Sequence, residues 1–61
     1  MCEFDLIVDG KTVLRDVIYA RMEGNKVIVR DILGSIREYP NHRIEEVDVN
    51  STRLVLSTAQ K

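Results

Sequence analysis

The sequence predicts an all-β protein of about five or six short strands. Apolar residues recur at a period of two rather than 3.6, and turn signals rich in glycine, asparagine and proline separate the apolar runs. The 61 residues contain no pattern typical of a long helix, an internal repeat or a low-complexity segment. We therefore expect a single domain over residues 1–61.

The first hairpins are marked by two tight turns. Residues 3–8 alternate acidic and apolar side chains and run into Asp9-Gly10, a hairpin signal. Residues 12–14 are expected to pair back on them, and residues 16–22, rich in β-branched and aromatic side chains, form a second long strand. Gly24-Asn25 supplies the next turn, because both residue types tolerate positive φ.

A third strand is predicted at residues 26–33, and it is apolar on both faces. Val27 and Val29 lie on one face, and Ile28 and Ile32 on the other. We expect one face to pack against the core and the other against a partner.

The second half of the chain is less regular. Gly34 permits a bend, and Pro40-Asn41-His42 marks a break between strands. Ile44 and Val47 are three residues apart, which violates alternation and predicts a helical turn or a bulge. In order, the predicted segments are a fourth strand at 36–39, the helical turn or bulge at 43–46, a strand at 47–49, a turn at 50–52 and a closing strand at 53–58 with Leu54 and Leu56 inward. This series is typical of a small curled antiparallel sheet or barrel of the Sm-like or SH3-like kind.

Size and composition exclude several classes of protein. A chain this short has a marginal core, and without paired cysteines or a zinc cluster it is expected to form a dimer. A single free cysteine indicates a reducing compartment, and no apolar run approaches the ~20 residues of a membrane span, so we expect a cytoplasmic protein. The net charge of −1, from 9 basic and 10 acidic residues, does not favour nucleic acid as a partner.

The sequence does not predict an enzyme. Asp9, Asp16, Asp31 and Asp48 fall in turns or at strand ends, where aspartate bonds the local backbone. His42 has no second donor near it in the sequence, and no phosphate loop or catalytic triad is present. A chain of this size also has little room for a walled pocket.

The chemistry of the chain is concentrated at its start. Cys2 is the only cysteine, and with the Met1 amine and its own backbone nitrogen its sulfur closes two fused chelate rings. That N,N,S edge suits a square-planar ion, Ni(II) or Cu(II), and the Glu3 carboxylate is a candidate fourth ligand. If Met1 is removed, Cys2 keeps an amine–thiolate pair, which a dimer supplies twice. The alternative is an inert cysteine, because Cys2 shares its parity with apolar Phe4 and is the right size for a core position.

The whole chain also resembles a known family. The features that carry the resemblance are Met1-Cys2-Glu3, Asp9-Gly10-Lys11, Arg15-Asp16-Val17, Gly24-Asn25-Lys26-Val27, Gly34 and Ile44-Glu45-Glu46-Val47-Asp48. They are similar to the CooT-like family of small dimeric nickel-binding proteins linked to maturation of carbon monoxide dehydrogenase, also labelled predicted RNA-binding proteins. Only Met1-Cys2 is chemically specific in this set.

The resemblance implies a function for this sequence. It implies a nickel metallochaperone that binds Ni(II) through Cys2 in a homodimer, near the two-fold axis, and serves an acceptor nickel enzyme or its maturation factors. The alternative that stays open is a small β-barrel that binds RNA or another protein and in which Cys2 is inert.

Overall fold

The computed structural model of the chain describes residues 3–58, which form six strands in one mixed sheet. The strands are β1 (Phe4–Val8), β2 (Lys11–Glu23), β3 (Lys26–Asp31), β4 (Ile36–Pro40), β5 (His42–Asp48) and β6 (Arg53–Thr58). Their order across the sheet is β4-β3-β2-β1-β6-β5. The prediction of an all-β protein with five or six strands is confirmed. In the part of the chain that the structure describes, no helix is long and apolar enough to cross a membrane.

The two segments predicted at 12–14 and 16–22 form one long strand, β2. Asp9 and Gly10 both have positive φ (55° and 76°), as the hairpin turn requires. Asp16 also has positive φ (60°), and the ladders to β1 and β3 both shift register near Val17. This irregularity bends β2, so that its first half pairs with β1 and its second half with β3.

One strand pair differs from the predicted antiparallel arrangement, because β1 and β6 run parallel. Leu6 lies opposite Leu54, and Val8 lies opposite Leu56. Side chains alternate with a period of two in parallel and in antiparallel strands alike, so the sequence pattern cannot distinguish the two kinds of pairing. The direction of β6 follows from the path that the chain takes through β4 and β5.

The sheet is strongly curled but is not closed into a barrel. Strands β4 and β5 lie at opposite edges, although Asn41 alone joins them. The ends of the two edges must therefore meet at Asn41, which has φ of 60° and whose side chain accepts a hydrogen bond from Asn25 at 3.3 Å. The predicted break at residues 40–42 is thus shorter than expected, because both Pro40 and His42 belong to strands.

The second irregularity lies in β5. Ile44 pairs with Leu56 and Glu46 with Val55, which leaves Glu45 as the extra residue of a bulge. The spacing of Ile44 and Val47 predicted a helical turn or a bulge, and the structure has the bulge.

The core lies on the concave side of the curled sheet. It is formed by Leu6, Val17, Val27, Val29, Leu54 and Leu56. Leu54 and Leu56 face inward, as predicted. Ile28 is on the other face and is only 8% exposed within a single chain, so its burial needs no partner. Ile32, predicted beside it, lies beyond the end of β3 and is 48% exposed.

The turn between β5 and β6 gives the fold a pH-dependent contact. The Ser51 backbone N–H donates to Asp48 Oδ1 at 3.2 Å, and hydrogen bonds from Ser51 lower the pKa of Asp48 below its ordinary value of 3.8. Because the folded-state pKa is the lower one, the carboxylate stabilises the fold above pH 3.8. This contribution is lost as the pH falls through the folded-state pKa.

We expect Asp48→Ala to lower the free energy of unfolding at neutral pH and to reduce its fall in acid. Urea unfolding at a series of pH values between about 2 and about 7 measures both effects. Asp48→Asn is the matched control, since it keeps an oxygen acceptor but does not titrate. Identical acid dependence in the wild type and in both variants would contradict the assignment.

Candidate metal site at the start of the chain

The structure describes one of the three candidate ligands. Met1 and Cys2 lie outside the described residues, whereas Glu3 is half-buried and directly precedes β1. The described residues therefore show where Glu3, the last of the three candidate ligands, joins the sheet.

The start of the chain is anchored between two strands. Phe4 pairs with Val17 of β2, and the Asp5 N–H donates to the Thr52 carbonyl at 2.9 Å, just before β6. Strand β1 is thus held on both sides, in the middle of the sheet rather than at an edge. Glu3, the residue before it, emerges at a fixed place on the fold.

An apolar groove of about 220 Å³ lies beside this place. It is lined by Phe4, Val17, Ile18, Tyr19, Ala20, Ile44, Val47 and Leu54. Val47 is 56% exposed and Ile18 39% exposed, so the rim of the groove presents large aliphatic side chains to water. Exposed apolar patches of this kind mark interaction sites.

His42 lies far from the start of β1. It pairs with Thr58 at one end of β6, whereas Asp5 pairs with Arg53 at the other end. Five residues of strand separate these ends by ~16 Å. The His42 Nδ1 is 2.8 Å from the Pro40 carbonyl, and its ring meets Tyr39 edge-on. His42 was predicted to lie in the break between strands but instead begins β5, at the end of the β5–β6 ladder away from Glu3.

Two of the four aspartates predicted to bond the local backbone do so. Asp31 Oδ1 accepts the N–H groups of Leu33 and Ser35, each at 3.0 Å, and Asp48 accepts that of Ser51. Asp9 and Asp16 instead occupy the left-handed region that turns and bulges require. Across residues 3–58, no group of three His, Cys, Asp or Glu side chains comes together in a way that could hold a metal ion.

The groove was not predicted from the sequence, although two signals pointed to it. The apolar pair Val17-Ile18 breaks the alternation of β2, and Ile44 and Val47 break that of β5. Each break accompanies a bulge, and a bulge redirects neighbouring side chains to the rim of the curled sheet. The two signals could have been combined only with knowledge that residues of β2 and β5 line the same groove.

Comparison with known proteins supports the resemblance seen in the sequence. The chain is 30% identical over 56 residues to an uncharacterized protein, MJ1551, of Methanocaldococcus jannaschii, an overlap of 92% of this chain and 96% of that protein. Residues 1–57 match the family described as CO dehydrogenase accessory protein CooT, a family of accessory proteins rather than catalysts. Because the match spans nearly the whole chain and includes Met1-Cys2-Glu3, the protein belongs to the CooT family.

Proposed function

We propose that this protein binds Ni(II) through Cys2 and holds or delivers the ion for maturation of carbon monoxide dehydrogenase or a related nickel enzyme. The observation that carries the proposal is the family match over residues 1–57, which includes the chelating start of the chain. The ion is cargo, so the protein needs a site from which an acceptor can take it. We place this activity in the cytoplasm, where a free thiol persists.

The donors proposed for the ion are the Met1 amine, the Cys2 amide nitrogen and thiolate, and the Glu3 carboxylate. Two nitrogens and a sulfur from adjacent residues favour a square-planar ion. Glu3 suits this donor set because its side chain is only half-buried and so partly accessible. It also lies just before β1, so the alternation of side chains along a strand does not force it to the face opposite Cys2. A chain terminus carrying few donors leaves the ion within reach of an acceptor protein.

The groove beside the chain start supports a homodimer with the metal near the two-fold axis. In a two-fold interface the same patch meets itself, so an interface at the groove brings the two chain starts together. Val47 and Ile18 on the rim would then be buried, which relieves the exposure of their side chains to water. The two Cys2 thiolates would lie on the same side of the dimer, where one ion can bridge them or two can bind in proximity.

Titration of the reduced protein with Ni(II) tests the proposal. We expect calorimetry to show Ni(II) binding, accompanied by thiolate-to-nickel charge-transfer absorbance. A ratio of one ion per two chains means that the two Cys2 thiolates share the ion, and a ratio of one ion per chain means that each chain holds its own. Affinity should rise with pH, because the thiol, and the amide nitrogen where it binds, must lose a proton on binding.

Magnesium at the same concentrations is the control ion, since it prefers oxygen ligands and should give neither heat nor absorbance. A wild-type protein that binds no Ni(II) at any pH tested would overturn the proposal.

A further inference from the structure

The outer, convex face of β2, β3 and β4 carries a second concavity, of about 170 Å³. It is lined by Tyr19, Arg21, Ile28, Arg30 and Ile36. These residues are cross-strand neighbours, because Arg30 lies opposite both Tyr19 and Ile36, and Ile28 lies opposite Arg21. The concavity shares only Tyr19 with the groove beside the chain start.

Arg30 is held in place by an aromatic ring. Its guanidinium carbon lies 4.7 Å from the centre of the Tyr19 ring, a cation–π contact. A guanidinium stacked in this way keeps its N–H edges free, and these edges match the two oxygens of a carboxylate. Part of the entropy cost of ordering the arginine side chain is therefore already met before any ligand binds.

Charge is unevenly compensated along this face. At the end near the β2–β3 turn, Lys26 pairs with Glu38 at 3.2 Å and Arg21 with Glu23 at 3.4 Å. At the other end, Arg30 has no carboxylate partner among residues 3–58. The uncompensated positive charge thus lies next to an apolar surface, since Ile36 is 61% exposed and Ile28 forms the floor.

We propose that this outer face binds an extended acidic segment of another protein, with a carboxylate on Arg30 and an aliphatic side chain between Ile28 and Ile36. Charge complementarity favours this occupant. A second copy meeting the face across a two-fold axis would instead place two Arg30 side chains, each without a carboxylate partner among residues 3–58, in one interface. Nucleic acid is disfavoured because its binding needs several cations for successive phosphates, whereas of Arg21, Lys26 and Arg30 on this face only Arg30 has no carboxylate partner among residues 3–58.

The test uses the full chain and a short peptide, acetyl-Glu-Ser-Leu-Ser-Glu-amide. In an extended conformation, this peptide presents its two carboxylates and its leucine on one side. We expect amide chemical-shift changes in NMR spectra that are concentrated at Tyr19, Ile28, Arg30 and Ile36, with a Kd of about 1 mM. The charge-reversed peptide acetyl-Lys-Ser-Leu-Ser-Lys-amide is the control ligand.

Matched variants assign the effect to Arg30. Arg30→Gln should weaken binding of the acidic peptide roughly tenfold, and Arg30→Lys should weaken it less, because lysine keeps the charge but loses the bidentate geometry. Arg43 is an exposed arginine on β5, and Arg43→Gln should leave the affinity for the acidic peptide unchanged. Ni(II) binding should be the same in all three variants, so the nickel proposal and this inference can fail separately.

Three outcomes would overturn the inference. They are the absence of shifts on this face in the wild type, equal shifts with the lysine peptide, and shifts with a single-stranded uridine oligonucleotide where the acidic peptide gives none. The last result would make the face a nucleic-acid surface.

Discussion

Replacing Cys2 by serine should abolish tight Ni(II) binding and leave the protein folded. The hydroxyl of serine does not ionise at neutral pH and is a poor ligand for this ion, whereas a thiolate is a strong one. Loss of a direct ligand should lower affinity by more than the roughly 10–100-fold that changes around a ligand cause. The fold should persist because the core is formed by residues between Leu6 and Leu56.

Calorimetry and absorbance measure the loss of binding, and circular dichroism with urea unfolding measures the fold. Glu3→Gln is the graded control, since it keeps the thiolate and removes only the proposed fourth ligand. Unchanged affinity in Cys2→Ser would overturn the site assignment.

Replacing Val47 by lysine should dissociate the proposed homodimer. Val47 lies on the rim of the groove, and an ammonium group buried there would lose its hydration without gaining a carboxylate from the groove lining. We expect the dimer Kd to rise at least about a hundredfold, a change of about 2.7 kcal/mol. Sedimentation velocity over a range of protein concentrations measures this change.

Val13→Lys is the matched control for this experiment. Val13 is also a strand valine with an exposed side chain, 43% of which is accessible, but it does not line the groove. This variant should sediment like the wild type. If both variants remain dimeric, the interface lies elsewhere. If only Val47→Lys dissociates, the number of Ni(II) ions that this monomeric variant binds per chain shows whether the site needs two chains.

Local patterns in the sequence predicted most of the strands and turns. The alternation around Val27 and Val29, the Asp9-Gly10 turn and the strand over residues 53–58 all depend on neighbours within a few residues. Such features follow from steric preferences and from which side chains avoid water, so they are visible without a structure. The donors that we propose at Met1 and Cys2 are likewise visible without a structure, because the two residues are adjacent in the chain.

Nonlocal pairing could not be predicted in the same way. The parallel pairing of β1 with β6 joins residues about 48 positions apart, and an alternating pattern fits either direction. Asp16 was expected at a turn or strand end but lies inside β2, where its positive φ bends the strand. Tyr19 lies beneath Arg30 on the outer face, in a contact between two strands that no local pattern predicts.

The sequence by itself therefore determined the all-β class, most turn positions and membership of the family, and it contains the donors that we propose at Met1 and Cys2. Only the tertiary structure decided what lies beside the start of β1 and on the outer face of the sheet. The groove beside Phe4 and the Tyr19–Arg30 contact each combine residues from different strands. Their formation depends on register, bulges and curl, which arise when the whole sheet buries one common core.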